Sequence, residues 1–180
     1  MIKFIKVSIV IVITLSLLGT ISLIKPRNSS ATTTYLVGVE PITSQNLAAL
    51  SKIGYQFNVP AQPAIISPNV AIRNASVTYP GLNGKTDYTV EYQVLTVPKF
   101  NAFSQEALEK NPVLKTKKLI DHLPVYIISY ENMLIPVHSL IGTKPPETQD
   151  SSVPAGYQKG EYNVVVDATS GVPLMVFSYR

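Results

Sequence analysis

The segment YNVVVDATSGVPLMVFSY, residues 162–179, closes the chain and decides how the rest is read. Two runs rich in Val, Met and Phe flank the polar core DATSG, which is the pattern of two paired strands joined by a turn. Asp167 stands at the mouth of that turn. Its side chain is suited to accept turn N–H groups, while Gly171 supplies the positive φ that hairpin loops of this length require. Asp167 and Gly171 are therefore read as structural turn residues rather than as a working carboxylate and its neighbour.

Working outward, YTVEYQVLTV at 88–97 alternates, with Tyr88, Val90, Tyr92 and Val94 on one side and Thr89, Glu91 and Gln93 on the other. LPVYIISYE at 123–131 is a dense β-branched and aromatic strand, apolar on both faces. Ahead of these, ISPNVAIRNASVTYPGL at 66–82 carries the clearest helix. Ser67 is placed to cap it, and Pro68 takes the first helical position, where its missing donor costs nothing. Ala71, Ile72, Ala75 and Tyr79 recur at helical spacing, and Pro80-Gly81 stops the helix. Shorter helices are expected in TSQNLAALSKIGY, 43–55, capped by Thr or Ser, and in AFSQEALEKNP, 102–112, capped by Ser104 and ended by Asn111-Pro112. YLVGVEPIT holds a short strand at 35–39, VPAQPAIISP reads as extended, and residues 136–160 read as one long polar loop.

One amphipathic helix followed by antiparallel strands predicts an α+β fold, with the helix on one sheet face. The other face is then wet, covered by the extra short helices, or used for binding.

The order of these elements resembles the PepSY domain family over about residues 64–179. The resemblance rests on the helix with paired Ala71 and Ala75, the strand VYIISYE, and the Val166-Asp167-Ala168…Gly171 turn before an apolar strand. Residues 98–122 and 136–160 are longer than the compact family pattern. The resemblance implies a non-catalytic module of the bacterial envelope that binds proteins or peptides or restrains a peptidase. It carries over no catalytic residue.

The front of the chain has its own character. Val7 to Ile24 is 18 residues long without a charge, preceded by Lys3 and Lys6 and followed by Lys25 and Arg27. A spanning helix needs about 20 apolar residues, whereas a cleavable signal has a core of roughly 7–15. Residues 4–24 are thus expected to meet the membrane as a signal-anchor, with a cleaved signal ending near Ser29-Ser30-Ala31 as the alternative. Both readings export the remainder. The organisation expected is an anchor or signal over 1–27, a tether and short elements over 28–63, and an α+β domain over 64–180.

Those four flanking cations supply the whole net charge of +4, so residues 28–180 are neutral. The basic character describes the membrane flank and predicts no nucleic-acid surface; KTKK at 115–118 reads as a solvated loop face. The chain has no cysteine, which excludes disulfides, thiolate metal sites and cysteine nucleophiles. GLNGK at 81–85 lacks the following helix of a phosphate loop and reads as a turn. No metal-binding spacing links the two histidines, His122 and His138, and no cofactor is expected. A serine-hydrolase reading would use Ser139, His138 and Asp121 or Asp167, without the usual elbow around the serine.

Ten tyrosines and no tryptophan leave two further readings. Strand tyrosines fill a core with a hydrogen-bonded rim, or Tyr88, Tyr92, Tyr126 and Tyr130 form a surface that binds peptide or glycan. The function expected is a membrane-tethered module that binds an envelope protein, a peptide or a peptidase without catalysis. A small exported hydrolase and a structural subunit of an envelope complex are the alternatives.

Overall fold

The computed structural model describes residues 35–98, 100–136 and 152–178. Six strands form one antiparallel sheet in which spatial order follows chain order. They are β1 (Tyr35–Leu36), β2 (Gln56–Pro60), β3 (Tyr88–Val97), β4 (Ile120–Pro136), β5 (Tyr157–Asp167) and β6 (Pro173–Phe177). The helices are α1 (Leu47–Lys52), α2 (Pro68–Thr78), α3 (Gln105–Lys110) and α4 (Pro112–Lys117), with a 3-10 turn at Pro80–Leu82. The architecture is α+β.

Period-two alternation along the central strands sends apolar side chains to both faces. On one face Tyr126, Ile128 and Tyr130 of β4 join Val164 and Val166 of β5 beneath α2. Helix α2 meets them with Ala71 and Ala75, both fully buried, so its backbone lies close to the sheet. On the opposite face Val125 and Ile127 join Leu95, Val165 and Met175. Leu50 of α1, Ala107 of α3 and Leu114 of α4 cover them. The register Ile127↔Val165↔Met175 carries this apolar row across three strands. Of the three fates open to the second face, burial under short helices is the one observed over this half of the sheet.

Several local readings need correction. Ser67 occupies the N-cap of α2 in extended conformation, but its side chain makes no cap hydrogen bond. Its own carbonyl accepts from Val70 N at 3.1 Å and Ala71 N at 3.3 Å, so the donor that the hydroxyl would serve is already taken. Pro68 does sit at the start of the helix. The cap of α1 is Asn46, which accepts from Ala49 N, and not Thr43 or Ser44. Asn111-Pro112 ends α3 and at once begins α4, because the Asn111 side chain accepts from Leu114 N and Pro112 is compatible with a first turn. The lysines of KTKK therefore sit on and just past a helical C-terminus, where cations oppose the dipole favourably.

Strand β4 runs well beyond 123–131 at both ends, and β5 begins at Tyr157, inside the segment read as loop. The pairing Pro136↔Tyr157 extends this ribbon past the sheet's main body. Asn132, at φ 54°, marks the irregularity between Tyr130 and Met133 that lets it continue. Residues 4–24, the Ser29–Ala31 segment, His138 and Ser139 lie outside the described residues. Among the described residues no helix is long and apolar enough to cross a membrane.

Candidate functional site

The hairpin is built by its own side chains. Asp167 Oδ1 accepts from Thr169 N at 2.8 Å and Oδ2 accepts from the Ser170 hydroxyl at 2.6 Å. Gly171 N donates to Asp167 O at 2.8 Å, and Gly171 adopts φ +77°. A Cβ there would lie 2.8 Å from Asn74 Nδ2 on α2. That amide donates to Gly171 O at 2.8 Å and pins the helix to the turn. Both carboxylate oxygens of Asp167 are engaged in making the turn.

The four tyrosines do not form a surface. Tyr130 is 1% exposed and Tyr126 5% exposed, because α2 and the segment before it cover them. Tyr126 Oη donates to Ile66 O at 2.9 Å and Tyr92 Oη to Gln62 O at 3.0 Å. The rings pair across strands, Tyr88 with Tyr130 and Tyr92 with Tyr126, each at 5.4 Å. Burial raises the pKa of Tyr92, Tyr126 and Tyr130, the last partly offset by the nearby Ser76 hydroxyl. These tyrosines fill the core, and Tyr92 and Tyr126 hydrogen-bond its rim; only Tyr88 and Tyr92 stay half-exposed.

His122 stands at the start of β4 at φ 47°, with Nδ1 2.6 Å from Asp121 Oδ1 and its ring stacked on Tyr35 at 5.0 Å. The stacking ties Tyr35 of β1 to the start of β4. Among the described residues no cluster of three His, Asp or Glu side chains could hold a metal.

Two features were not anticipated from the sequence. The first is a polar hollow on the face of the sheet opposite α2, crossed by residues 42–45. Gln93 Nε2 donates to Ile42 O at 3.0 Å. The Glu91 carboxylate accepts from the Thr43 hydroxyl, from Ser44 N at 2.6 Å and from the Ser44 hydroxyl at 2.7 Å. Gln45 Nε2 then reaches Ser129 Oγ at 2.8 Å, Asn163 Oδ1 at 3.1 Å and Glu161 Oε1 at 3.3 Å. This strap crosses β3, β4 and β5 obliquely and is held by side chains rather than by a strand ladder. The only advance signal was the polar residues on the outward positions of β3, together with Ser129 and Asn163 amid otherwise apolar runs.

The second is a cleft of about 420 Å³ where β6 ends. Phe100, Leu134, Ile135, Tyr162, Val176 and Phe177 supply most of its wall. Phe100 is set edge-on to Phe103 at 5.3 Å, and Phe103 bridges to Met175 of β6. Burial raises the Tyr162 phenol, the wall's titratable group. The arrangement offers apolar contact with one hydroxyl beside it, which suits an aliphatic or aromatic side chain.

Comparison with protein-family models, with curated proteins and with solved structures returned no match.

Proposed function

We propose that the chain is an exported, membrane-tethered, non-catalytic module, PepSY-like in plan, that binds protein or peptide partners at the cell envelope. The resemblance of residues 64–179 and the apolar run at 7–24 motivate the placement. The observation that carries the binding role is the 420 Å³ cleft beside β6. Its apolar wall, framed by the fixed pair Phe100 and Phe103, accommodates one large apolar side chain from a partner's extended segment. A peptidase of the envelope is the partner class that the resemblance implies.

Site-specific photocrosslinking of the full-length chain in its native membrane tests this reading. A photoreactive residue replaces Leu134, which is half-exposed on the cleft wall, or Val77, which is exposed on α2. The expected result is a discrete crosslinked partner from position 134 and none from position 77. Ala102→Trp, which narrows the cleft from its exposed rim, should abolish it. Equal patterns from both positions, or a crosslink unaffected by Ala102→Trp, would refute the reading.

A further inference from the structure

We infer that the polar hollow under residues 42–45 is a second binding site, built for a short bent peptide with hydroxyl and carboxamide side chains and filled here by the chain's own strap. Four observations converge on it. Two of the contacts, Gln93 Nε2 to Ile42 O and Ser44 N to Glu91 Oε1, engage the strap's backbone. Those two groups are ones that any peptide backbone carries. The remaining contacts read side chains: Glu91 takes the two consecutive hydroxyls of Thr43 and Ser44, and Ser129, Asn163 and Glu161 converge on the Gln45 carboxamide. The hollow thus recognises the sequence hydroxyl-hydroxyl-carboxamide.

The fit of the strap is incomplete. Among the described residues Gln93 Oε1 and Asn163 Nδ2 find no hydrogen-bond partner, although Gln93 is only 3% exposed and Asn163 is fully buried. Buried polar groups in native proteins are nearly always paired, because an orphan keeps its full desolvation cost. One spare acceptor and one spare donor on the floor of the hollow are what a better-matched ligand would use.

The strap is also poorly anchored by apolar burial. Ile42 is 96% exposed, Val37 85% and Val39 49%, and the strand before it, β1, is two residues long. Segments held by few buried apolar contacts open at far lower cost than the sheet beneath them. A tethered occupant nevertheless competes at an effective concentration on the order of millimolar, so it masks the hollow from weak ligands. The site is therefore closed in cis and opens to a peptide of the same chemistry in trans. It shares no lining residue with the β6 cleft, so the two bindings are separable by mutation.

The probe is a fluorescent peptide of residues 40–46, EPITSQN, added to the full-length chain in detergent and followed by anisotropy. The wild type should bind it weakly. Gln45→Ala, which loosens the strap but leaves the floor intact, should bind it at least about 10-fold more tightly, since the cis competitor is weakened. Adding Glu91→Ala to that variant should remove the gain, and a control peptide lacking the hydroxyls and the glutamine, EPIVAAN, should not bind. Equal affinity of the wild type and a folded Gln45→Ala variant, or equal binding of the two peptides, would overturn the inference. Should Gln45→Ala fail to fold, the wild type decides. Millimolar EPITSQN should speed hydrogen exchange at Ser44 and Gln45, and exchange unchanged by the peptide would overturn the inference.

Discussion

The turn at 167–171 and the strap at 42–45 are both short, polar and fastened by side-chain hydrogen bonds, yet their bonds close loops of very different size. Within the turn, Asp167 reaches Thr169 and Ser170, two and three residues away. The strap has one local bond, Gln45 N to Thr43 Oγ1, but the bonds that hold it to the sheet join residues 47 to 118 positions apart. A turn of the first kind forms with its hairpin and is enclosed by it, since Asp167 N also donates to Val172 O at 2.9 Å. The strap is laid onto a sheet that is complete without it. One polar segment is part of the fold, while the other rests upon it.

The largest effect expected from breaking this contrast lies on the turn. Gly171→Val forces a β-branched residue to φ +77° and drives its Cβ into Asn74 Nδ2. It should lower global stability by about 2 kcal/mol or more in urea unfolding. Adding Asn74→Ala relieves the clash but not the φ strain, so recovery should be partial. Full recovery would show that contact, not backbone, fixes the turn.

Gln45→Ala comes next. It deletes the carboxamide that Ser129, Asn163 and Glu161 hold, at a local cost of ~1–3 kcal/mol. The loss should appear as faster exchange at 42–46 with a smaller change in the global midpoint. An equal drop in both would show that the strap and the sheet unfold together.

Alkali probes the apolar ground under each segment. Burial pushes Tyr55, in the core on the strap's face, and Tyr79, at the end of α2, up to about 12. Unfolded phenols titrate near pH 10, so the unfolded chain releases its protons first as pH rises. The stability these phenols contribute is whole below pH 10 and drains away between pH 10 and about 12. Tyr55→Phe should flatten part of that decline, as followed by phenolate absorbance and thermal midpoint.

The smallest effect is expected from Asp167→Asn. The carboxamide oxygen still accepts from Thr169 N, and the side chain is exposed enough to rearrange toward Ser170. The thermal midpoint should barely move, with a cost on the order of 0.5 kcal/mol or less. A loss of several kcal/mol would give the carboxylate charge a role that the turn does not require.

The same difference in loop size explains what the sequence could tell. The hairpin, α2 and β3 were legible because their signals are local: Asp167 and Gly171, Pro68 with the Ala71–Ala75 spacing, and alternation along 88–97. Ser104 read correctly as a cap, accepting from Ala107 N at 3.0 Å. The Asn111-Pro112 pair was ambiguous, since the same two residues stop one helix and start another. The start of β5 was hidden because Gln158 and Gly160 break the apolar pattern, although Gln158 is buried opposite Ile135. The tyrosines favoured core and surface alike until α2 was seen to cover Tyr126 and Tyr130. Nothing near Thr43, Ser44 or Gln45 announces Glu91 or Asn163 as partners, so neither the strap nor the cleft was within reach of local reasoning.

The contrast between an enclosed turn and a removable strap is tested most directly by residue-resolved hydrogen exchange on the full-length chain without added ligand. The amides of Asp167 and Gly171 should exchange only through global unfolding, at the rate of the β4 and β5 core. Those of Ser44 and Gln45 should exchange at least about 100-fold faster, through opening of the strap alone. Exchange of Ser44 and Gln45 at the same slow rate as the core would contradict the account and make the strap a permanent layer of the fold.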